Sequence, residues 1–333
     1  MTTQTRETTT LTRATASALP DADTRPAAGR RATRRKRFSK HSSAGEVVIS
    51  YLDAQAARLA ALDLAVRRDK PDSVHQMRVT VRRLRSTLQS FTVILPKADT
   101  RQLSAELKWL GGVLGAARDV EVLDSHLRTS LAAVPTELVL RPAQARISIY
   151  FAPQEAQARE AVLTALDSQR YRSLRADLDT LLDSPPLTAA AAEPAGPALR
   201  LAVGRACRRT SRRMSRARKA PAGQPRDVAL HEARKAAKRA RYAAEAVEPA
   251  LGKKARRLAK RMKRVQSVLG DHQDAVIART TVRGIGIEAH LAGENAFSFG
   301  LLHERAHRQA LACQQEAYLA WRQARKSRHW AKR

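Results

Sequence analysis

One eleven-residue pattern occurs twice in this chain, 156 positions apart. His75-Gln76-Met77-Arg78-Val79-Thr80-Val81-Arg82-Arg83-Leu84-Arg85 and His231-Glu232-Ala233-Arg234-Lys235-Ala236-Ala237-Lys238-Arg239-Ala240-Arg241 share H-x-x-R-x-x-x-[RK]-R-x-R. Downstream, Val113-Leu114-Gly115 followed by Asp119 answers Val268-Leu269-Gly270 followed by Asp274, at an offset of 155. At that offset Arg101 answers Arg256 and Lys108 answers Lys263. A repeat of this length means that the fold is made from two copies of one unit. Whatever the unit does with its His-Arg segment, it does twice.

The unit is helical. Ala, Leu, Arg, Glu and Gln dominate, all good helix formers, and alternating β-branched runs are nearly absent. The periodicity predicts helices near 45–69, 73–94, 100–116, 119–132, 142–165, 168–182, 198–219, 227–247, 253–269, 271–280 and 296–325. The expected class is all-α. Pro185, Pro186, Pro194 and Pro197 interrupt helix over 184–197, which reads as a linker between a first half, 46–183, and a second half, 198–327. PAGQP at 221–225 is a smaller break. Gly111, Gly112 and Gly115 sit in a helical pattern, where small residues allow close packing. Gly284, Gly286, Gly293 and Gly300 read as breakers between late helices.

On a helical wheel, His75, Arg78, Arg82 and Arg85 share an arc of about 80°. Val74, Met77, Val81, Leu84, Leu88 and Phe91 fill the neighbouring arc. In the second copy His231, Arg234, Lys238 and Arg241 border Ala233, Ala237, Ala240, Ala244 and Val247. The basic stripe therefore adjoins the buried one, whereas a plain solvated face would oppose it. A solubilising face also needs acidic partners three or four residues away, and between His75 and Phe91 there are none. Unpaired like charges along one arc favour a site for an anion.

Charge supports that reading. The formal net charge is +31. It is concentrated in residues 1–45, at +7, and in 198–280, at +18, while 46–183 carries only +2. Such an imbalance destabilises a compact state by self-repulsion and points to a polyanionic partner. Aromatics are 4% of residues, too few for a stacking platform on single-stranded nucleic acid. Residues 1–45, ending in a basic run from Arg30 to Lys40, have few large apolar residues and are expected to be a disordered tail. The tail lacks a secretory h-region, and no stretch is long and apolar enough for a membrane span. Cys207 and Cys313 make no disulfide framework or zinc cage by themselves and suit a reducing compartment.

The paired H-x-x-R-x-x-x-R-R-x-R helix, followed by Leu114-Gly115-Ala116-Ala117-Arg118-Asp119, resembles the CHAD domain, the conserved histidine α-helical domain. The resemblance covers roughly 46–325. It implies two tandem helical bundles related by pseudo-twofold symmetry, with the basic helices facing a central groove. It also implies binding of inorganic polyphosphate and association with polyphosphate granules in the cytoplasm. The second copy departs from L-G-x-x-R-D: Asp271-His272-Gln273-Asp274 follows the glycine, which leaves Arg118 without a counterpart. The E-x-E-x-K motif of a triphosphate-tunnel domain is missing, so no catalysis is borrowed from that neighbour, and no cofactor is expected.

The expected ligands in the first half are His75, Arg78, Arg82, Arg83, Arg85, Arg101 and Lys108. In the second half they are His231, Arg234, Lys238, Arg239, Arg241, Arg256, Lys260 and Lys263. Arg can bridge two phosphate oxygens, while Lys acts as a point charge. For the two histidines, phosphate contact ranks first, an orienting role second and metal ligation third. The competing reading is an architectural protein that binds DNA or RNA non-specifically through the same surface. His303-Glu304-Arg305-Ala306-His307 spells the zinc-protease motif H-E-x-x-H, but no third ligand or substrate-binding strand accompanies it and no copy exists in the first half. Trp109, Trp321 and Trp330 are expected at the core or helix edges.

Overall fold

The computed structural model describes residues 38, 39 and 41–326. The expected tail up to position 37, Lys40 and Trp330 lie outside the described residues. The helices are α1 (Ala44–Arg67), α2 (Ser73–Ser90), α3 (Arg101–Ala132), α4 (Ala143–Asp167), α5 (Gln169–Asp183), α6 (Ala195–Lys219), α7 (Gln224–Ala246), the short α8 (Glu248–Leu251), α9 (Lys253–Leu291) and α10 (Phe297–Lys326). No strand occurs among the described residues, and the class is all-α. Local chemistry sets several ends. Ser43 caps α1 by accepting from the Glu46 amide at 3.2 Å, and Ser168 caps α5 by accepting from the Tyr171 amide at 3.2 Å. Pro225 stands in the first turn of α7, where a missing N–H costs nothing.

The duplication is visible in the packing order. α1 packs on α2, α2 on α3 and α3 on α4, and the series recurs as α6 on α7, α7 on α9 and α9 on α10. α5 has no counterpart. Two reciprocal contacts mark the pseudo-twofold relation. The Ala44 amide donates to the Glu193 carbonyl at 2.9 Å, and the Ala195 amide donates to the Ser42 carbonyl at 2.8 Å. Arg83 donates to Glu245 from α2 to α7, and Arg239 donates to Gln89 from α7 to α2. Gln89 and Glu245 occupy equivalent positions, 156 apart.

The core does not divide at the linker. One body of buried residues draws on α1 to α7, α9 and α10, with Leu52, Met77, Leu84, Phe91, Leu107, Leu199, Leu230, Met262 and Trp321 among them. A second, distal core combines Leu127, Ile147 and Phe151 from the first half with Val282, Ile285, Phe299 and Leu302 from the second. Both halves thus contribute to both cores.

Three expectations on boundaries are corrected. The breaks expected at 117–118 and near 270 do not occur: α3 and α9 run unbroken through Gly115 and Gly270. Each helix spans the main core and the distal core, and burial at both ends outweighs a mid-helix glycine, which costs about 1 kcal/mol against alanine. Gly284 and Gly286 lie inside α9 and Gly300 inside α10; Gly286 lies against Phe299, where a Cβ would come within 3.0 Å. Only Gly293, at φ +74°, ends a helix as expected of a breaker. The last residues of the expected linker, Ala195 to Pro197, are the first turn of α6, where Pro197 lacks only an amide that the helix does not use.

Candidate functional site

The two His-Arg segments lie on α2 and α7, which pack against each other. Their apolar arcs are buried as read: Met77, Val81, Leu84 and Leu88 on α2, and Ala233, Ala237, Ala240 and Ala244 on α7. The basic arcs meet along the seam between these helices. Arg78, Arg82, Arg234 and Lys238 lie within electrostatic reach of one another. The Lys238 ammonium is pushed down to about 5, first by burial, then by the positive fields of Arg82, Arg234 and Arg78, with Asp274 opposing. Arg82 is lowered by burial and by Arg78 and Arg234, with Tyr242 and Asp119 opposing.

The repeated glycines and aspartates of α3 and α9 hold these arginines. A Cβ on Gly115 would lie 3.5 Å from the Arg78 guanidinium, and one on Gly270 would lie 3.0 Å from that of Arg234. Gly270 therefore clears a berth for Arg234, while at Gly115 the contact with Arg78 would be an ordinary one. Four residues on, Asp119 reaches Arg78 at 3.1 Å and Asp274 reaches Arg234 at 3.8 Å. The segment from α2 alone offered no acid, so its arginines are unpaired only within their own helix. Their partners come from α3 and α7.

Despite these pairs, donors remain unmet. The Nε atoms of Arg78, Arg85, Arg118 and Arg234 and the Nδ1 of His75 are buried without a hydrogen-bond partner. A buried polar group without a partner costs about 1–3 kcal/mol, more when charged. Five such atoms, four on the repeated His-Arg segments and one on Arg118, make the seam a place that gains from an acceptor-rich anion.

The histidines differ between halves. His231 Nδ1 donates to Gln273 Oε1 at 2.8 Å. Gln273 stands, at the 155 offset, where the first half has Arg118. In the first half Arg118 pairs with Glu121, and its field holds His75 down after burial, which is the larger cause. Burial likewise lowers His231, with Gln273 opposing. With Nδ1 donating, Nε2 of His231 can offer a proton to a phosphate only as the imidazolium. The sequence reading thus left out Gln273, whose signal was the departure from L-G-x-x-R-D itself.

The remaining expected ligands divide. Arg83 donates to Glu245 at 3.1 Å and Arg239 to Gln89 at 2.7 Å, so both act across the α2–α7 contact as clasps. Arg241 is held by Glu245 at 2.6 Å and by Gln266 at 3.2 Å, with its guanidinium 5.4 Å from the Tyr242 ring. Its mate Arg85 has Gln89 four residues on in place of a glutamate, and Gln89 accepts from Arg239. Arg256 is paired with Glu248 at 2.5 Å. Arg101, Lys108, Lys260 and Lys263 are exposed on α3 and α9. Lys108 and Lys263 stand two turns before Gly115 and Gly270, within about 20° of the same helical face.

Elsewhere, Glu304 pairs with Arg308 at 2.7 Å, and Arg279 lies 3.1 Å from His307 Nδ1. Glu304 and His307 of H-E-x-x-H are thus engaged with neighbouring arginines. Trp321 is buried, and Trp109 stacks under Arg170 at 4.3 Å. No helix among the described residues is long and apolar enough to cross a membrane.

Comparison with known proteins adds a lineage to this geometry. The profile of the CHAD domain matches residues 50–283. Uncharacterized proteins from two strains of Mycobacterium tuberculosis are 34% identical over 273 residues, which is 82% of this chain and 52% of theirs. The chain spans about half the length of these curated relatives. Among solved structures, the CHAD domain from the plant Ricinus communis is similar at a TM-score of 0.63 and 25% identity, covering 89% of this chain and 95% of that one. PptA from Streptomyces chartreusis shares the fold at a TM-score of 0.69 and 23% identity, covering 86% of this chain and 100% of that one.

Proposed function

The chain belongs to the CHAD domain family, and from that premise we propose that it binds inorganic polyphosphate, without turning it over, along the seam between α2 and α7. The observation that carries this reading is the set of buried, unpartnered polar atoms on Arg78, Arg85, Arg118, Arg234 and His75, with Arg78 and Arg234 also acting on Lys238 and Arg78 and Arg118 on His75. Polyphosphate supplies what they lack: closely spaced anionic oxygens, and no bases that would need stacking. The seam offers cations and donors, while the carboxylates beside it are committed: Asp119 to Arg78, Asp274 to Arg234 and Glu245 to Arg83 and Arg241. That is the equipment of a binding surface. The same contact would carry the protein to polyphosphate granules.

The test is a competition. Labelled long-chain polyphosphate is bound at physiological salt and challenged with duplex DNA. Wild-type protein should hold the polyphosphate, and Arg78→Glu with Arg82→Glu should release it while helicity by circular dichroism is retained. Displacement by DNA at equal phosphate concentration would move the reading to a nucleic-acid-binding protein. Release of orthophosphate from the bound chain would make it an enzyme.

A further inference from the structure

The most basic helix of the protein is not one of the two that carry the repeat. From position 194 to 226 there is no Asp or Glu, and α6 within this stretch carries Arg200, Arg205, Arg208, Arg209, Arg212, Arg213, Arg216, Arg218 and Lys219. On the wheel, Arg205, Arg208, Arg209, Arg212, Arg213, Arg216 and Lys219 share an arc of about 140°. The opposite side buries Leu199, Val203, Cys207, Thr210 and Met214. Arg205, Arg208, Arg209, Arg212 and Arg216 are exposed, and among the described residues none of the five has a carboxylate partner. Three of the five, Arg209, Arg212 and Arg216, line a cleft of about 270 Å³ together with Arg213.

The fold does not require this charge. The equivalent helix of the first half is α1. Its buried Ala44, Gly45, Val48, Leu52, Ala56 and Leu59 match the buried Ala195, Gly196, Leu199, Val203, Cys207 and Thr210 of α6 at an offset of 151. In that register, which the reciprocal Ser42–Ala195 and Ala44–Glu193 hydrogen bonds also obey, Arg205, Arg208, Arg212 and Arg216 correspond to Ala54, Ala57, Ala61 and Ala65. One half keeps alanine where the other has placed four arginines. Their mutual repulsion is a cost that only a bound anion offsets.

The ridge is continuous with the seam. α6 packs on α7. Arg213 lies 4.0 Å from Glu232, the residue after His231. Toward the other end Arg209 acts on Arg239, which also feels Arg85. The ridge therefore runs beside the basic stripe of α7 for about 16 Å from Arg205 to Arg216, at 1.5 Å per residue.

We infer that the α6 ridge is a second polyphosphate surface, onto which a long chain leaving the α2–α7 seam continues, so that the protein favours long chains and engages them on one side of its pseudo-twofold axis. This rests on the proposed polyphosphate binding at the seam. The experiment converts the ridge to the residues of its mate. Arg205→Ala, Arg208→Ala, Arg212→Ala and Arg216→Ala are combined, and a second variant carries Gln at the same four positions in case the first does not fold. Affinities for tripolyphosphate, long-chain polyphosphate and duplex DNA are measured for these, for wild type and for a seam variant, Arg78→Gln with Arg234→Gln.

Exposed ion pairs are individually weak, and four together are worth about a tenfold change in affinity. The ridge variants should lose about that factor for the long chain, with a shallower salt dependence, and hold tripolyphosphate within about twofold. The seam variant should lose both. Undiminished long-chain binding by the ridge variants would overturn the inference while leaving the seam reading intact. So would a loss confined to duplex DNA, which would make the ridge a nucleic-acid surface. A wild-type protein that binds neither polyphosphate would overturn both.

Discussion

Lys238 gives the proposed binding reaction a proton to account for. In the free protein its ammonium is pushed down to about 5, because it is buried and faces Arg82, Arg234 and Arg78, with only Asp274 in opposition. At pH 7 it is therefore almost wholly the neutral amine. Protonating it there costs about 3 kcal/mol, at roughly 1.4 kcal/mol for each pH unit. A polyphosphate chain laid on the seam reverses the local field and favours the ammonium. Binding should then take up close to one proton, and affinity should rise by up to about tenfold for each pH unit lowered from 7 toward 5. The assay is titration calorimetry in buffers of different ionisation enthalpy, repeated across that range. Arg stays charged at all these values, so Lys238→Arg should flatten the profile and bind more tightly at pH 8. His75 and His231 also lie at the seam and are lowered, so a His75→Gln, His231→Gln variant separates their share. The free protein should respond with the opposite sign. A lysine lowered by folding destabilises the native state as pH falls from its ordinary value of 10.5 toward about 5, and Lys238→Met should reduce that slope. No proton uptake, together with parallel pH profiles for wild type and Lys238→Arg, would refute the argument.

Three further outcomes are expected. Gly115→Ala should raise Tm through helix propensity, worth about 1 kcal/mol, and leave binding unchanged, since its Cβ meets Arg78 at an ordinary 3.5 Å. Gly270→Ala must displace Arg234 from 3.0 Å, and a titration should show weaker polyphosphate binding. Glu245→Gln removes the anion shared by Arg83 and Arg241 and leaves two half-buried cations unpaired; chemical denaturation should show a loss of about 1–3 kcal/mol. Phe151→Ala, in the distal core, should cost about 3–5 kcal/mol by the same measurement and leave polyphosphate affinity of the folded protein unchanged.

The sequence disclosed most where a residue type is forced by its own helix. The apolar arcs of α2 and α7 could be read at single-residue resolution because burial follows the 3.6-residue period, and Met77, Val81, Leu84, Ala233, Ala237 and Ala240 are all buried. The duplicated cations could be read because the copies confirm each other. Helix ends were harder. Breaks at 117–118 and near 270 follow from a local reading, since local propensity does not contain the two cores that α3 and α9 bridge. The use of Gly270 is also invisible locally: it matters for the arginine it admits from another helix.

The division of the arginines into clasps and anion ligands lay further out of reach. Arg82 and Arg83 are adjacent in sequence, yet Arg82 stays in the cationic cluster while Arg83 leaves it for Glu245, 162 positions away. One hundred degrees of helical rotation separates them, and what lies at each azimuth is decided by α7. The repeat itself contained the clue. Glu245 corresponds to Gln89, so one copy of the seam is partly neutralised from within and the other is not. Gln273 in place of Arg118 and the arginines of α6 in place of the alanines of α1 extend the same asymmetry. A symmetric duplicate would bind a symmetric ligand indifferently in either direction. This one has moved charge out of the second-half seam, at Gln273 and Glu245, and onto the neighbouring helix. Such a redistribution gives a chain-like anion one preferred way to lie, and that preference exists only because the copies have diverged around a shared frame.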